Sequence, residues 1–407
     1  MGKAAFYAIL PLFVACHTPR KHPVTLTHRL KRWAKTLLQP NTAKASPLGK
    51  HMDCTTPAWQ HETRLRPPFS RPVAFCFHIN PWKRPHVARF LPHTLPAFAP
   101  MRFTWQDALP LIESVPDKVL VVWGYHDPPG MAEYAQAHNL PLYRMEDGFL
   151  RSVGLGSHHA APYSLILDDQ ALYFDARQPS RLELILNQLT LTPTDTLWQD
   201  AETLRQQLIA LAISKYNYKG ADQTPSAPEI YGAKERKRVL VIGQVESDAS
   251  IKYGCPNLRT NEGLLALALA ENPDAQVIYK PHPDVTTGKQ PSLSAPETYS
   301  DQALMLQGEW PLAKALETVD HLYTLTSLAG MEALLRQSIK VTVLGQPFYS
   351  GWGLTDDREP LARRQAKLSL QELIAGVYLL YPKYVDPDTS EVLTALQVVQ
   401  RLHQAIQ

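Results

Sequence analysis

The 407-residue sequence predicts an α/β protein made of two doubly wound domains, each with a largely parallel sheet. Three observations carry this expectation. The run at 118–123 is apolar almost throughout, as a strand covered on both sheet faces must be, and further strand runs follow at 238–242 and 340–344. Longer helical patterns separate such runs, which is the βαβ rhythm of a parallel sheet. The series is interrupted once, at 218–236, by a stretch rich in glycine, proline and polar residues, read as a hinge between domains at 72–217 and 237–407.

Taken in order, residues 73–79 form a short apolar run ending in Asn80-Pro81-Trp82-Lys83-Arg84. The run 118–123 is the next strand and 131–138 a helix. Residues 141–145 are a strand that delivers Glu146 and Asp147 at its carboxyl end. Residues 164–167 and 172–174 read as a hairpin across Asp168-Asp169-Gln170, and 182–189 and 196–213 as helices. After the hinge, strands are expected at 238–242, 275–279, 321–325 and 340–344. Helices are expected at 261–271, at 311–317, from Ser327 through 335, and at 389–406.

Charge divides the chain. The formal net charge is +3, but residues 1–70 hold eleven Lys/Arg against two Asp/Glu, about +9, and the rest thirty against thirty-six, about −6. Residues 1–71 are therefore read as a basic, poorly ordered arm and linker on a mildly acidic body. A nucleic-acid-binding fold carries its basic patch on the fold itself, so nucleic acid is not the expected partner. Residues 4–16 are apolar but short and contain Pro11; they read as a weak export signal or as unselected residues before a later start. Leu30, Trp33, Leu37 and Leu38 fall near one helical face among Arg29, Lys31, Arg32 and Lys35. That pattern suits a solvated arm, or a helix lying on an anionic membrane surface. No apolar run reaches the roughly 18–20 residues of a membrane span. Cys16, Cys54, Cys76 and Cys255 lack metal-type spacing and read as free thiols of a reducing compartment. The expected location is the cytoplasm, with peripheral contact to the inner membrane through the arm.

Three motifs fall at expected strand ends, where open parallel sheets bind their ligands. The first is Glu146-Asp147-Gly148, followed by Arg151, Gly154 and Gly156. Two adjacent carboxyls resist joint ionisation, which suits a nucleophile or base beside a second acid; Asp-Gly is also a common turn pair. The second is Lys280-Pro281-His282-Pro283, two donors around a rigid proline that could face one anion. The third is Thr324-Leu325-Thr326-Ser327, with hydroxyls at an expected helix start, read as a phosphate site or as plain capping. Glu332, one turn on, is a candidate for ribose hydroxyls or a helix-surface charge. Arg151, Lys83 and Arg84 are candidates for a substrate carboxylate, Lys83 and Arg84 being equally well explained as solvated charges. Asp386-Pro387-Asp388 is read as a turn, and no metal is expected. Gly154-x-Gly156 lacks the third glycine of a dinucleotide fingerprint.

An Asp-Gly, a His-Pro and a Ser/Thr element in this order resemble the glycosyltransferases that use CMP-activated acid sugars. Further stretches sharpen the resemblance: Trp123-Gly124, Glu146 through Gly156, Tyr173-Phe174-Asp175, Lys215-Tyr216-Asn217, Gly243-Gln244 through Ser250, Lys280 through Asp284, and Phe348 through Gly353. With them, residues 73–390 resemble the capsule polysaccharide biosynthesis family, the KpsC/LipB-type β-Kdo transferases.

The resemblance implies a GT-B-like fold, two Rossmann-like domains facing across a cleft. It implies transfer of Kdo from CMP-Kdo to a lipid-linked or saccharide acceptor with retention, and no required cofactor. Asp147 would be the nucleophile, with Glu146 tuning it or acting on the acceptor hydroxyl. His282 would bind and stabilise the leaving phosphate, and Lys280, Ser327, Thr326, Glu332 and Gln244 would line the nucleotide site. Two other readings fit the same scaffold: a non-catalytic glycan-handling protein of capsule export, and a hydrolase or epimerase. The chain has one module where some relatives carry two.

Overall fold

A computed structural model describes residues 71–154, 156, 159–189, 195–218, 225–257, 259–308 and 310–407. The basic arm, its amphipathic segment and Cys16 and Cys54 lie outside the described residues, as does part of the 218–236 stretch.

The chain forms two compact units. Among the described residues, one comprises those up to Asp147 with Ala161–Asp169 and Lys383–Val392; the other comprises those in Gly148–Ala160, Gln170–Pro382 and Leu393–Gln407.

The first unit is built on a six-stranded sheet in the order Lys383–Tyr384, Ser164–Asp168, Leu142–Asp147, Lys118–Trp123, Val73–Phe77, Leu95–Phe98. The last four strands are parallel. Alternation explains why their sequences are apolar throughout. Val73, Phe75, Phe77, Leu120 and Val122 face one way, onto Trp105, Ile112 and Met131. Ala74, Cys76, Val121 and Met145 face the other way, onto Val87 and Phe90. With both faces covered, no polar residue fits mid-strand. The helix Trp105–Ser114 opens with a capping box, in which Thr104 and Asp107 satisfy each other's backbone N–H. The thiol of Cys76 is fully buried.

The hairpin expected across 168–170 does not form. Ser164–Asp168 is a strand, but it pairs antiparallel with Leu142–Asp147, setting Ile166 opposite Glu146 and Leu165 opposite Asp147. Residues 172–174 are a turn, closed by Asp175 N–H donating to the Leu172 carbonyl at 2.8 Å. Buried Leu165 and Ile166 gain more against the sheet than two edge strands would gain from each other.

The second unit holds a six-stranded, wholly parallel sheet in the order Leu304–Met305, Gln276–Lys280, Arg238–Ile242, His321–Thr324, Lys340–Val343, Asp356–Asp357. The helix Asn261–Glu271, capped by Thr260, packs Leu264, Leu265 and Ala268 against it. The helices Arg181–Leu189 and Asp195–Ala210 also belong here, although their place in the sequence assigns them to 72–217. They pack on Leu370–Ile374 and the π-helical turn Ala375–Leu380 that follows. Gly376 permits this approach, since a Cβ there would lie 2.5 Å from Leu186 Cδ2. The C-terminal helix is Ala395–Ile406, capped by Thr394, and so starts later than the expected 389. Asp386 instead accepts from the N–H groups of Asp388 and Thr389, both at 2.9 Å, which makes the Asp-Pro-Asp stretch a turn.

Glu183 anchors this unit. Its carboxylate, 4% exposed, accepts from Arg363 Nε at 2.5 Å and from Arg364 Nε at 3.0 Å. Arg364 also donates to the carbonyls of Pro347, at 2.5 Å, and Ser350, at 2.9 Å. Glu183→Ala would leave the buried Arg364 guanidinium without its counter-ion. A cost of about 3–5 kcal/mol is expected, read as a lower midpoint in urea unfolding at unchanged slope.

Among the described residues, no helix is long and apolar enough to cross a membrane.

Candidate functional site

In the first unit, the strand Leu142–Asp147 carries the two carboxylates to its last two positions. Both residues are half-buried. The Asp147 N–H donates to Glu146 Oε1 at 2.9 Å, so the Glu146 side chain folds back over the strand end. Beside it, Gly124 N–H donates to the Met145 carbonyl at 2.9 Å, and Gly124 itself sits at φ +58. Two residues away on the same strand face, Arg144 makes a two-pronged ion pair with Asp127 and stacks 4.5 Å over Tyr125. That pair fixes the loop 124–127 beside the carboxylates, and the sequence reading missed it. Arg144 and Asp127 are 17 positions apart, and only the parallel pairing of Lys118–Trp123 with Leu142–Asp147 brings them together.

Of the basic candidates in this unit, Lys83 lies with its ammonium 3.3 Å from the Trp123 ring centroid, near the same strand ends. Arg84 is used differently. Its Nε donates to the Ile79 carbonyl at 3.2 Å and its Nη2 to the Ala99 carbonyl at 3.1 Å, tying two strand-end loops together.

In the second unit, three stretches that the resemblance assigns to the nucleotide end neighbouring strands. Register sets Ile242 beside Lys280 and Val241 beside Tyr323, so Gly243-Gln244 emerges between Lys280-Pro-His282 and Thr324-Leu-Thr326. Strand spacing places the outer two roughly 10 Å apart. Gly243 is required here, because any Cβ would strike the Tyr279 hydroxyl and sit 3.2 Å from Pro281 Cα.

His282 N-caps the turn Pro283–Thr286. Its Nδ1 accepts from the Asp284 N–H at 3.1 Å. Burial lowers its pKa; Lys280 adds to the lowering, while Asp284 and Asp248 oppose it. The ring is thus neutral at pH 7, and with Nδ1 accepting, the proton sits on Nε2, ready to donate outward.

Gln244 and Thr326 are buried and bonded to each other. Gln244 Oε1 accepts from the Thr326 N–H at 2.8 Å, and its Nε2 donates to Thr326 Oγ1 at 3.1 Å. The Gln244 backbone pairs in turn with the Asn261 amide, at 2.9 and 2.8 Å. Both residues thus help to hold the loop in shape. Neither Asn261 nor its role was legible, because a helix-start Asn reads as an ordinary polar residue.

The helix expected from Ser327 begins at Ala329 and spans six residues. Ser327 Oγ accepts from the Ala329 N–H at 3.2 Å, and the Ser327 N–H donates to Thr324 Oγ1 at 3.3 Å. Ser327 therefore offers a hydroxyl proton more than a helix dipole. Its carbonyl accepts from the fully buried Tyr349 hydroxyl at 2.5 Å. Gly330 makes room for that ring.

Glu332 is only 6% exposed, so it is no helix-surface charge. Burial pushes its carboxyl from 4.5 up to about 7, against the opposing pull of Arg336 and the Lys215 backbone N–H. A pKa raised on folding means stability present in full below about pH 4.5 and lost as pH rises through about 7. Glu332→Gln is expected to match the parent near pH 4 and to exceed it above pH 7 by ~3 kcal/mol, in urea unfolding across pH.

Arg151, four residues after Asp147 in sequence, belongs to the second unit. It is fully buried in the second unit, donating to Ser152 Oγ at 2.8 Å and the Ala160 carbonyl at 3.0 Å. A Cβ at Gly156 would lie 2.9 Å from its guanidinium carbon. Gly156 thus leaves room for this arginine, a reason for the glycine that needs no dinucleotide.

Against known proteins, residues 118–384 match the family described as capsule polysaccharide biosynthesis protein. The chain is 42% identical over 314 residues to the lipopolysaccharide-processing protein LpsZ of Rhizobium meliloti, 77% of this chain and 70% of that one. It is 38% identical over 365 residues to the capsule polysaccharide modification protein LipA of Neisseria meningitidis, covering 90% of this chain and 49% of that one. The chain thus spans about half the length of this Neisseria relative. Among solved structures it resembles Thermosulfurimonas dismutans KpsC, beta Kdo 2,4 transferase, with TM-score 0.68 and 32% identity over 82% of this chain and 98% of that one. The beta Kdo 2,7 transferase of the same KpsC gives TM-score 0.63 and 31% identity over 83% of this chain and 100% of that one. The chain therefore belongs to the capsule polysaccharide biosynthesis protein family.

Proposed function

We propose that this chain is a retaining glycosyltransferase that moves Kdo from CMP-Kdo onto a saccharide or lipid-linked acceptor of capsular or related glycan assembly. The observation that carries the reading is its likeness to both β-Kdo transferase structures, at 32% and 31% identity over four-fifths of the chain. The chemistry of the strand ends supports it.

In this reading the neutral His282 donates from Nε2 to the CMP phosphate, with Lys280 and the Ser327 hydroxyl as further donors, so the departing phosphate meets fixed partners. Gln244 and Thr326 keep that loop in place, and Glu332 is the acid assigned to the ribose hydroxyls. Asp147 attacks the anomeric carbon and forms a glycosyl ester as CMP leaves. The acceptor hydroxyl then displaces Asp147. Two inversions give net retention, the logic of retaining glycosidases. Lys83, held over Trp123, pairs with the Kdo carboxylate. The turnover takes place in the cytoplasm. The basic arm would add an electrostatic hold on the anionic inner membrane, where a lipid-linked acceptor is presented.

The test is incubation with CMP-Kdo and synthetic saccharide and glycolipid acceptors, with CMP release followed and product linkage read by NMR. A β-linked Kdo product supports the reading. An α-linked product overturns retention, and CMP-Kdo left intact overturns the donor.

A further inference from the structure

Gly124 in the first unit borders two chemically active groups. A Cβ there would sit 3.5 Å from Cδ2 and 3.8 Å from Nε2 of His126, and 3.9 Å from Oε2 of Glu146. These are ordinary contact distances, so it is the φ of +58 that makes a side chain here strained. The space over the glycine is thus bordered by both an imidazole and a carboxylate oxygen. Glu146 Oε1 is engaged by the Asp147 N–H, which leaves Oε2 as the oxygen that borders the same glycine as the imidazole.

The loop that carries His126 is built with care. The His126 carbonyl accepts from Nδ1 of His78, and the two rings stand edge to face with centroids 6.5 Å apart. His78 is itself held at φ +52, a left-handed conformation that costs about 1–2 kcal/mol in a residue with a Cβ. Arg84 fixes the same turn through the Ile79 carbonyl. Asp127, the next residue along, is clamped by Arg144. The His126 side chain remains exposed, within reach of a substrate. Folds retain this kind of local strain where geometry serves function.

We propose that His126 is a catalytic residue, the general base for the acceptor hydroxyl, with the Glu146 carboxylate stabilising the imidazolium it becomes. The proposal rests on the double-displacement reading above. In the second displacement the acceptor oxygen bonds to the anomeric carbon. The ester C–O bond to Asp147 breaks, and its electron pair returns to the carboxylate. The hydroxyl proton passes to the imidazole and from there to solvent. The first displacement expels CMP as an anion and needs no base, so His126 serves only the second.

Rapid-quench kinetics with excess CMP-Kdo and acceptor separate the two steps. His126→Gln is expected to release about one CMP per enzyme at near the parent rate, and then to turn over slower by on the order of 10²-fold or more. A Kdo adduct should build up in its intact mass. Added imidazole should restore part of the turnover of His126→Ala. Steady-state turnover of His126→Gln within threefold of the parent would overturn the proposal. So would loss of the CMP burst in a variant with an unchanged melting temperature, since that places His126 in the first step. A parent enzyme that releases no CMP from CMP-Kdo removes the donor assignment, and the role of His126 with it.

Discussion

Asp147→Ala is expected to abolish Kdo transfer, lowering kcat by on the order of 10⁴-fold or more, while CMP binds as before. The size follows from the step removed. A nucleophile that forms the covalent intermediate has no substitute once its carboxylate is gone, and neighbouring groups then act on a reaction that no longer starts. Binding should survive because the nucleotide motifs are carried by the sheet of the second unit, whereas Asp147 closes a strand of the first. The fold should survive as well. Asp147 is half-buried at a strand end, and its N–H, which anchors Glu146, is retained in alanine. Transfer measured by product chromatography, beside CMP affinity by calorimetry, checks both halves. A variant with kcat within tenfold of the parent would mean that another group attacks the sugar.

His282→Ala is expected to weaken CMP binding and slow transfer together, by about 10²–10³ in kcat/KM, the scale of a lost donor to developing charge. The argument rests on one tautomer. The Asp284 N–H occupies Nδ1, so the proton is held at Nε2, and burial keeps the ring neutral. A neutral N–H donor strengthens its bond as negative charge grows on the phosphate, so kcat should fall more than affinity. His282→Asn offers a side chain that can take the capping bond, but it cannot present the Nε2–H at the same reach. It should therefore recover stability without recovering rate. Should Asn restore full activity, His282 is a cap and nothing more.

Much of the architecture was legible because it follows from burial. The strands Arg238–Ile242 and Lys118–Trp123 were found to the residue, since a strand covered on both faces has no room for a polar position. The helix Asn261–Glu271 was equally clear, an alanine- and leucine-rich segment between Thr260 and Asn272. What escaped depended on contacts distant in sequence. The strand Lys383–Tyr384 has only two residues and returns to the first sheet beside Ser164–Asp168, which no local pattern announces. The helices 181–189 and 195–210 follow the first sheet in sequence, yet their apolar faces fit the C-terminal segments better. The signal for that was Gly376, a glycine inside a helical stretch that leaves room for Leu186.

The site was legible in kind more than in role. Adjacent carboxylates and the His-Pro element were placed at strand ends by pattern, and the structure puts them there. Gln244, Thr326, Arg84 and Arg151 were read as ligand contacts because they are polar and near the motifs. The structure shows bonds within their own loops: Gln244 to Thr326, Arg84 to two carbonyls, Arg151 to Ser152 and Ala160. Polar residues that hold a site and polar residues that bind its ligand look alike in sequence, and only burial and partners tell them apart. His126 was passed over because it lies in a plain loop, and its neighbour Glu146 is 20 positions away.

The most direct test of the covalent mechanism is peptide mass spectrometry of the enzyme quenched during turnover with CMP-Kdo. A peptide carrying one dehydrated Kdo on Asp147, absent from Asp147→Ala, is the predicted result. An adduct mapped to Glu146 or any other residue, or β-linked product formed with no adduct under conditions where His126→Gln should trap one, would contradict it.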